Sequence, residues 1–241
     1  MDKNAERISV SCIIPAHNEA RRIGKVLDAV VGHPLIGEII VVDDCSSDDT
    51  AAQAQRDGVK LIPLPQNLGK SGAVASGIAA ASGSHLLLLD ADLVGLTAND
   101  INALLQSVLS QQVDVSLSLR RNSPRLWHLI GLDYISGERV FPRSLVASRL
   151  AEIRALANFG LEVWLNRLWI AENYRIAVVH WPDVISPYKA QKMGWLRGIK
   201  ADCAMTRDIL RTISPRQILQ QIMAMKRQSP PLPQPNDASA S

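Results

Sequence analysis

A chain of 241 residues, 47% hydrophobic and 20% charged, has the length of one large α/β domain or two small ones and the composition of a folded globular protein, which excludes disordered, collagen-like and miniature scaffolds. Three cysteines, Cys12, Cys45 and Cys203, lie far apart with no C-x-x-C pair, so neither a disulfide framework nor a zinc site is expected. The net charge of +3 conceals a division: residues 1–118 carry 8 basic against 14 acidic side chains, residues 119–227 carry 18 against 8, and all ten aromatics fall between Trp127 and Trp195.

In chain order, residues 8–16 (ISVSCIIPA) are β-branched and apolar and read as a buried first strand. From Glu19 to Val31 the apolar residues Ile23, Val26, Leu27, Val30 and Val31 recur at helical spacing, and Gly32 with Pro34 stops them. EIIVVDD is a second strand, and Ser46, Ser47 or Asp48 can cap a helix running through Gln55. VKLIPL, the small-residue helix KSGAVASGIAAAS and HLLLLDAD complete a β-α-β-α-β-α-β order. Strands apolar throughout and alternating with helices indicate a parallel sheet covered on both faces. Thr97 can cap the next helix, and VDVSLSLR then alternates like a half-exposed strand. Residues 134–175 read as mainly helical, RIAVVHW as a strand, and both Gln191–Ile213 and Gln217–Arg227 as helices. Residues 229–241 are proline-rich and polar, so a disordered tail is expected.

No apolar run reaches the roughly 18 residues of a membrane span, and the charged start is followed by no A-x-A cleavage pattern. The expectation is a cytoplasmic chain. No zinc-finger spacing or RNP-like aromatic motif accompanies the basic half, so nucleic acid is not an expected partner. Phosphates or an anionic membrane are the partners that half would suit. The basic amphipathic segment near residues 195–213 could lie peripherally on such a membrane, or pack its apolar side on the domain.

The feature richest in chemistry is LLLLDADL, a buried strand ending in Asp90 and Asp92. In an extended chain these carboxylates point to the same side. Hard oxygen ligands of this kind suit Mg²⁺ or Mn²⁺ bridging to substrate phosphates. Ligands of open α/β sheets bind at the carboxyl ends of strands, where Asn18, Glu19, Asp43 and Asp44 should also sit.

PAHNEARRIGKVL, EIIVVDDCSSDDT, QNLGKSGAVASGI and LLLLDADL, in that order across residues 13–94, resemble the nucleotide-sugar-binding half of family 2 glycosyltransferases. The resemblance implies a GT-A fold: a Rossmann-like mixed α/β sheet flanked by helices, here over residues 1–228 with a C-terminal helical extension. Residues 1–118 would bind the nucleotide sugar and 119–228 the acceptor. It further implies that Pro15, Asn18 and Glu19 line the nucleotide pocket, that Asp44 accepts the base N–H, and that Lys70 lies near the nucleotide. Asp90 and Asp92 would hold the diphosphate through the metal, Asp92 acting at the reacting centre. The family commonly has tyrosine where this chain has His17, and imidazole stacks only weakly on a base.

SLRRN, ISGERVFPRSLV and FGLEVWLN look like segments of dolichol-phosphate mannosyltransferase-like members that follow the D-x-D. This implies Arg120 or Arg121, Arg139 and Arg143 as cations facing the acceptor or phosphate, and Glu162 as an acidic catalytic or acceptor-binding residue. A hydroxyl acceptor needs a base such as Glu162, whereas a phosphate acceptor is already ionised. His180 is ambiguous, since some GT-A enzymes supply a late histidine to the metal. The expected activity is inverting, metal-dependent transfer from a UDP-sugar, or GDP-mannose second, to a lipid, a polyprenyl phosphate or a glycan. A catalytically inactive nucleotide-sugar-binding scaffold is the competing reading. Nicotinamide dehydrogenases are disfavoured because no G-x-G-x-x-G follows the first strand.

Overall fold

The computed structural model describes residues 8–156, 160–187 and 214–229. The strands are β1 (Val10–Ala16), β2 (Glu38–Asp43), β3 (Val59–Pro63), β4 (His85–Leu88), β5 (Val115–Arg120), β6 (Arg139–Pro142) and β7 (Ile176–Trp181). They form one sheet in the order β3-β2-β1-β4-β6-β5-β7. The helices are α1 (Ile23–Val30), α2 (Thr50–Ala54), α3 (Gly69–Ala80), α4 (Ala98–Leu109), α5 (Arg125–Ile130), α6 (Leu150–Arg154), α7 (Gly160–Ala171) and α8 (Pro215–Arg227). Among the described residues no helix is long and apolar enough to cross a membrane. The expected amphipathic segment Gln191–Ile213 and the tail after Ser229 lie outside the described residues.

β1 to β4 run parallel, in keeping with their largely apolar sequences, while β6 is antiparallel to both β4 and β5. This short strand lies within the stretch expected to be mainly helical. Four residues, RVFP, are too few to show a period, and pairing with β4 overrides local propensity. The reversal brings the start of β6 to the edge where the parallel strands end, with Arg139 opposite Leu88.

Alternating strand residues feed two cores, one on each face. Cys12, Ile14, Val41 and Leu87 pack with α1 and α4, whereas Ile13, Ile40, Val42 and Leu86 pack with α3, α7 and α8. The alternation in β5, expected to mark a half-exposed strand, instead separates two buried faces. Val115 and Leu117 enter the second core, while the Ser116 hydroxyl donates to the Leu104 carbonyl of α4 at 2.7 Å. A buried hydroxyl is tolerated when so bonded. Thr97 caps α4 in a reciprocal pair with Asp100, as the sequence suggested.

At the opposite, amino edge Glu38 staples β2 to the turn before β4. Its carboxylate accepts from the Ser11 hydroxyl, the Ser82 amide (2.6 Å) and hydroxyl (2.8 Å), and the Gly83 amide (3.2 Å). Burial alone would push this carboxyl up, but the donors outweigh it and hold it below the usual range.

Helix α3 lies close on β1 and β2 because its inner face is built from Ser71, Ala73, Val74 and Gly77. A Cβ at Gly77 would come within 2.5 Å of Ile13 Cγ2 and 3.3 Å of Val42 Cγ2. Ile13 is buried with no room to yield. Gly77→Ala is therefore expected to lower stability by about 1–3 kcal/mol through overpacking, more than offsetting the roughly 1 kcal/mol gain in helix propensity. Thermal unfolding followed by circular dichroism checks this, and a melting temperature at or above wild type contradicts it.

Candidate active site

The carboxyl edge of the sheet collects the ends of β1, β2, β4, β5 and β7 and the start of β6. After β1, Asn18 adopts a left-handed conformation (φ 57°), which its short amide side chain tolerates. Its Oδ1 accepts from the Ser47 amide at 2.8 Å, and the Glu19 amide donates to Thr50 Oγ1 at 2.8 Å. These bonds lock the loop after β1 to the loop after β2. Glu19 also pairs with Arg22 at 3.1 Å, and Pro15, near the end of β1, is partly exposed.

Asp44 follows β2 and is buried. Its Oδ1 accepts from the Leu68 amide at 2.7 Å, immediately before α3. Its carbonyl lies 2.9 Å from His17 Nδ1 and accepts from Asn67 Nδ2 at 3.2 Å. His17 Nδ1 also lies 3.2 Å from Asn67 Nδ2, and its Nε2 lies 3.1 Å from the side-chain Nδ2 of Asn18. The Asp44 carboxylate thus anchors the N-terminus of α3, whose dipole favours anions at this edge.

Lys70, in the first turn of α3, reaches across the sheet edge. Its ammonium lies 2.8 Å from Asp90 Oδ1 and 2.9 Å from Glu162 Oε1. Burial alone would lower the lysine pKa, but the two carboxylates outweigh it and raise it. Glu162 sits in the first turn of α7, as expected, and is almost wholly buried. Its Oε2 has no hydrogen-bond partner among the described residues.

Strand β4 ends at Leu88, although the Leu89 amide still donates to the Ile13 carbonyl at 3.1 Å; Asp90 follows directly and Asp92 lies in the turn beyond. Asp92 Oδ1 accepts from the Ser186 hydroxyl at 3.1 Å. The Val94–Ile185 bridge fastens the turn to the segment after β7. Gly95 (φ +84°) is required there, because a Cβ would meet the Asp183 carbonyl at 2.5 Å.

Of the four arginines expected to face phosphate, two are corrected. Arg139 is fully buried: Nε donates to the Ser136 carbonyl (2.6 Å), one terminal nitrogen to Asn166 Oδ1 (2.6 Å) and the other to the Tyr134 carbonyl (3.2 Å), and the guanidinium lies 4.9 Å from the centre of the Trp169 ring. Burial pushes its pKa down. Its donors are spent inside the protein, where it clamps α7 to β6 one turn from Glu162. Arg143 lies at the amino edge, donating to the Gly83 carbonyl at 2.8 Å. Arg120 stays at the site but points inward, 3.3 Å from Glu138 and 3.6 Å from Asp133. Burial would lower its pKa, yet Glu138 and Asp133, with Asp90 and Asp92 adding, raise it. Arg121 is exposed at the rim, and His180 is exposed on β7.

Glu138 and Gly137 are site residues that sequence reasoning missed. Glu138 is fully buried, accepts from Ser118 (2.6 Å) and Ser136 (3.0 Å), and has its pKa raised by burial and Asp90 against Arg120. A Cβ at Gly137 would lie 2.6 Å from Asp90 Oδ2 and 2.8 Å from Lys70 Nζ. The signal was the small-residue step SGE before a short apolar run.

Among the described residues, five acids (Asp90, Asp92, Asp133, Glu138, Glu162) thus surround three cations (Lys70, Arg120, Arg139). An acidic excess with hard oxygen donors fits a divalent cation. No group of three or more metal-ligating side chains forms a closed cage among the described residues. Asp90 and Asp92 are the pair that would hold such an ion, with water or phosphate oxygens completing its shell.

The model of the family described as Glycosyl transferase family 2 matches residues 11–156. The dodecaprenyl-phosphate galacturonate synthase of Rhizobium johnstonii is 28% identical over 127 residues, 48% of this chain and 37% of that protein. The dolichyl-phosphate beta-glucosyltransferase of Dictyostelium discoideum is 34% identical over 103 residues, 36% of this chain and 32% of that protein. The chain thus spans about a third of the length of these curated relatives. Among solved structures, glucosyl-3-phosphoglycerate synthase from Mycobacterium tuberculosis, in complex with Mn²⁺ and UDP-glucose, superposes with a TM-score of 0.67 at 23% identity. That match covers 90% of this chain and 79% of the other, a likeness of fold. With more than half of its length matched by the family model and a mixed sheet of the GT-A type, the chain belongs to glycosyltransferase family 2.

Proposed function

We propose that this chain transfers a glycosyl group from a nucleotide sugar to an acceptor with inversion at the anomeric carbon. UDP is the favoured nucleotide and GDP-mannose the second. A lipid or polyprenyl phosphate ranks above a soluble hydroxyl or glycan as acceptor, which implies a peripheral position at a membrane surface. The observation that carries the reading is the meeting of Lys70, Asp90 and Glu162 at the carboxyl edge, on the turn that also bears Asp92. Support comes from relatives named for dodecaprenyl and dolichyl phosphates and from a structural neighbour holding Mn²⁺ and UDP-glucose.

In this reading residues 1–118 bind the donor, 119–228 serve the acceptor, and 229–241 are a tail. Pro15, Asn18, Glu19 and Asp44 line the nucleotide end, with the N-terminus of α3 favouring negative charge. Lys70 opposes the charge that grows on the departing diphosphate. Asp90 and Asp92 would hold Mg²⁺ or Mn²⁺, which supplies further neutralisation of the leaving group. Arg121, exposed at the rim, is the cation left to meet an acceptor phosphate. Glu162 keeps Lys70 in place and, for a hydroxyl acceptor, takes the proton on Oε2.

Asp92→Ala is expected to remove metal-dependent nucleotide binding, measured by calorimetric titration of UDP and GDP with Mn²⁺ and then with EDTA. Equal UDP affinity under both conditions in wild type and variant contradicts the metal role. Glu162→Gln separates the acceptor classes. With a polyprenyl phosphate the rate should fall less than about tenfold, because the nucleophile is already ionised. With a hydroxyl acceptor it should fall about 10²-fold. Single-turnover rates with each acceptor check this, and a 10²-fold loss with the phosphate acceptor sinks the assignment.

A further inference from the structure

Helix α5 leaves the carboxyl edge directly after β5 and places apolar side chains where a globular protein normally places polar ones. Trp127 and Ile130 turn inward onto the second core, which leaves Leu126 and Leu129, one turn apart, 57% and 86% exposed. Gly131 ends the helix in a left-handed conformation, and Lys226 Nζ of α8 lies 3.4 Å from where a Cβ at Gly131 would begin. Tyr134 OH donates to Gln221 Oε1 at 2.7 Å, tying the two elements together. On α8, Ile222 and Met225 are buried, so the face that carries Leu219, Met223 and Lys226 at i, i+4 and i+7 looks outward, with Leu219 58% and Met223 48% exposed. The outward stripe of α8 therefore runs toward the C-terminus of α5.

Charge identifies the occupant. Residues 121–132 and 214–229 contain no Asp or Glu. Arg121, Arg125, Arg216, Lys226 and Arg227 are all exposed. On the adjoining segment 181–187 the acid is Asp183. A second copy meeting this face would bring like charges together. A nucleic acid would match the cations but not the protruding leucines. Apolar side chains projecting through a ring of Lys and Arg match the interface of an anionic bilayer, where the leucines enter the acyl boundary and the cations meet the headgroups.

We infer that α5 and the outer face of α8 form a docking surface for an anionic lipid bilayer, with Leu126 and Leu129 as the inserting side chains. The surface adjoins the candidate active site. Asn122 Nδ2, next to Arg121, donates to the Ser186 carbonyl at 2.6 Å, and the Ser186 hydroxyl donates to Asp92. Docking by α5 brings the rim that bears Arg121 to the headgroup level, where the phosphate of a lipid acceptor lies. That catalytic consequence rests on the proposed lipid acceptor; the docking itself does not.

The test is co-sedimentation of the full chain with vesicles of phosphatidylcholine alone and of phosphatidylcholine mixed equally with phosphatidylglycerol. The wild type should bind the anionic vesicles in preference. Leu126→Ser with Leu129→Ser should weaken that binding roughly tenfold or more, and Arg125→Gln with Lys226→Gln should weaken it and flatten its salt dependence. Both leucines are exposed, so the double variant should keep its melting temperature and its UDP titration. Absence of vesicle binding, equal binding to both vesicle types, or undiminished binding by the leucine variant overturns the inference. So does a wild-type dimer in sedimentation velocity that the leucine variant converts to monomer, which would make the face a self-interface. A chain that binds anionic vesicles through these leucines yet titrates no nucleotide refutes the transferase reading and leaves the docking surface standing.

Discussion

A lysine ammonium with carboxylates at 2.8 and 2.9 Å, drawn from segments as much as 92 residues apart, forms only when α3, the turn after β4 and α7 have all been seated on the sheet. Each of those elements has its own fastening. Asp44 holds the N-terminus of α3 through the Leu68 amide, the Val94–Ile185 bridge holds the turn, and Arg139 holds α7 through Asn166. Removing one partner of a buried ion pair leaves the other uncompensated, at a cost of about 3–5 kcal/mol when burial is complete. Lys70 and Asp90 keep some solvent contact, so their share is smaller. Glu162 has almost none, and the lysine is what keeps its charge tolerable.

The reversed strand β6 is what brings Gly137, Glu138 and Arg139 to this edge. Were the strand beside β4 parallel, its amino end would lie at the far edge and Glu138 with it. Antiparallel pairing instead lays Gly137 against the Asp90–Lys70 pair and buries Glu138 beside Arg120. Gly137 matters through what it lacks: any side chain there would occupy the space that the Asp90 carboxylate and the Lys70 ammonium now fill. The cations Arg120 and Arg139 behave as fixed internal charge. The Arg139 guanidinium is engaged by two carbonyls and Asn166 and that of Arg120 pairs with Glu138 and Asp133, in keeping with the weaker hydration that makes arginine the usual partner in buried ion pairs.

Much of this was legible in the sequence, for identifiable reasons. β1 to β4 are largely apolar, α1 repeats Ile23, Val26, Leu27 and Val30 at helical spacing, and Thr97 announces α4; each is a local signal that the tertiary structure reinforces. The motif order also placed Asp44, Lys70, Asp90 and Glu162 at one edge. What was not legible depends on pairing. Arg139 and Arg143 stand four residues apart in one motif, yet the four residues of β6 carry them to opposite edges of the sheet. The serines of β5 mimic a solvent face because sequence cannot tell a hydroxyl bonded to Leu104 from one bonded to water. Asp92 lies in the turn beyond β4 instead of on a strand face, a distinction set where β4 loses its neighbours.

Among the described residues this edge sets five acids around three cations, and that imbalance links structure to the proposed binding. Burial first, and the nearby Asp90 charge after it, push the Glu138 carboxyl up against the pull of Arg120 and Lys70. A ligand that brings positive charge to this edge relieves the repulsion, and one that brings negative charge to Lys70 competes with Asp90 and Glu162 for the same ammonium. In the proposed function, cation and anion would therefore bind better together than either alone: the first satisfies the carboxylates that the second displaces from lysine. Because such ligands bind only the assembled edge, their binding energy also adds to the stability of the fold. In the proposed function, the geometry that orders three distant segments around one ammonium is the geometry at which a metal and a phosphate would meet.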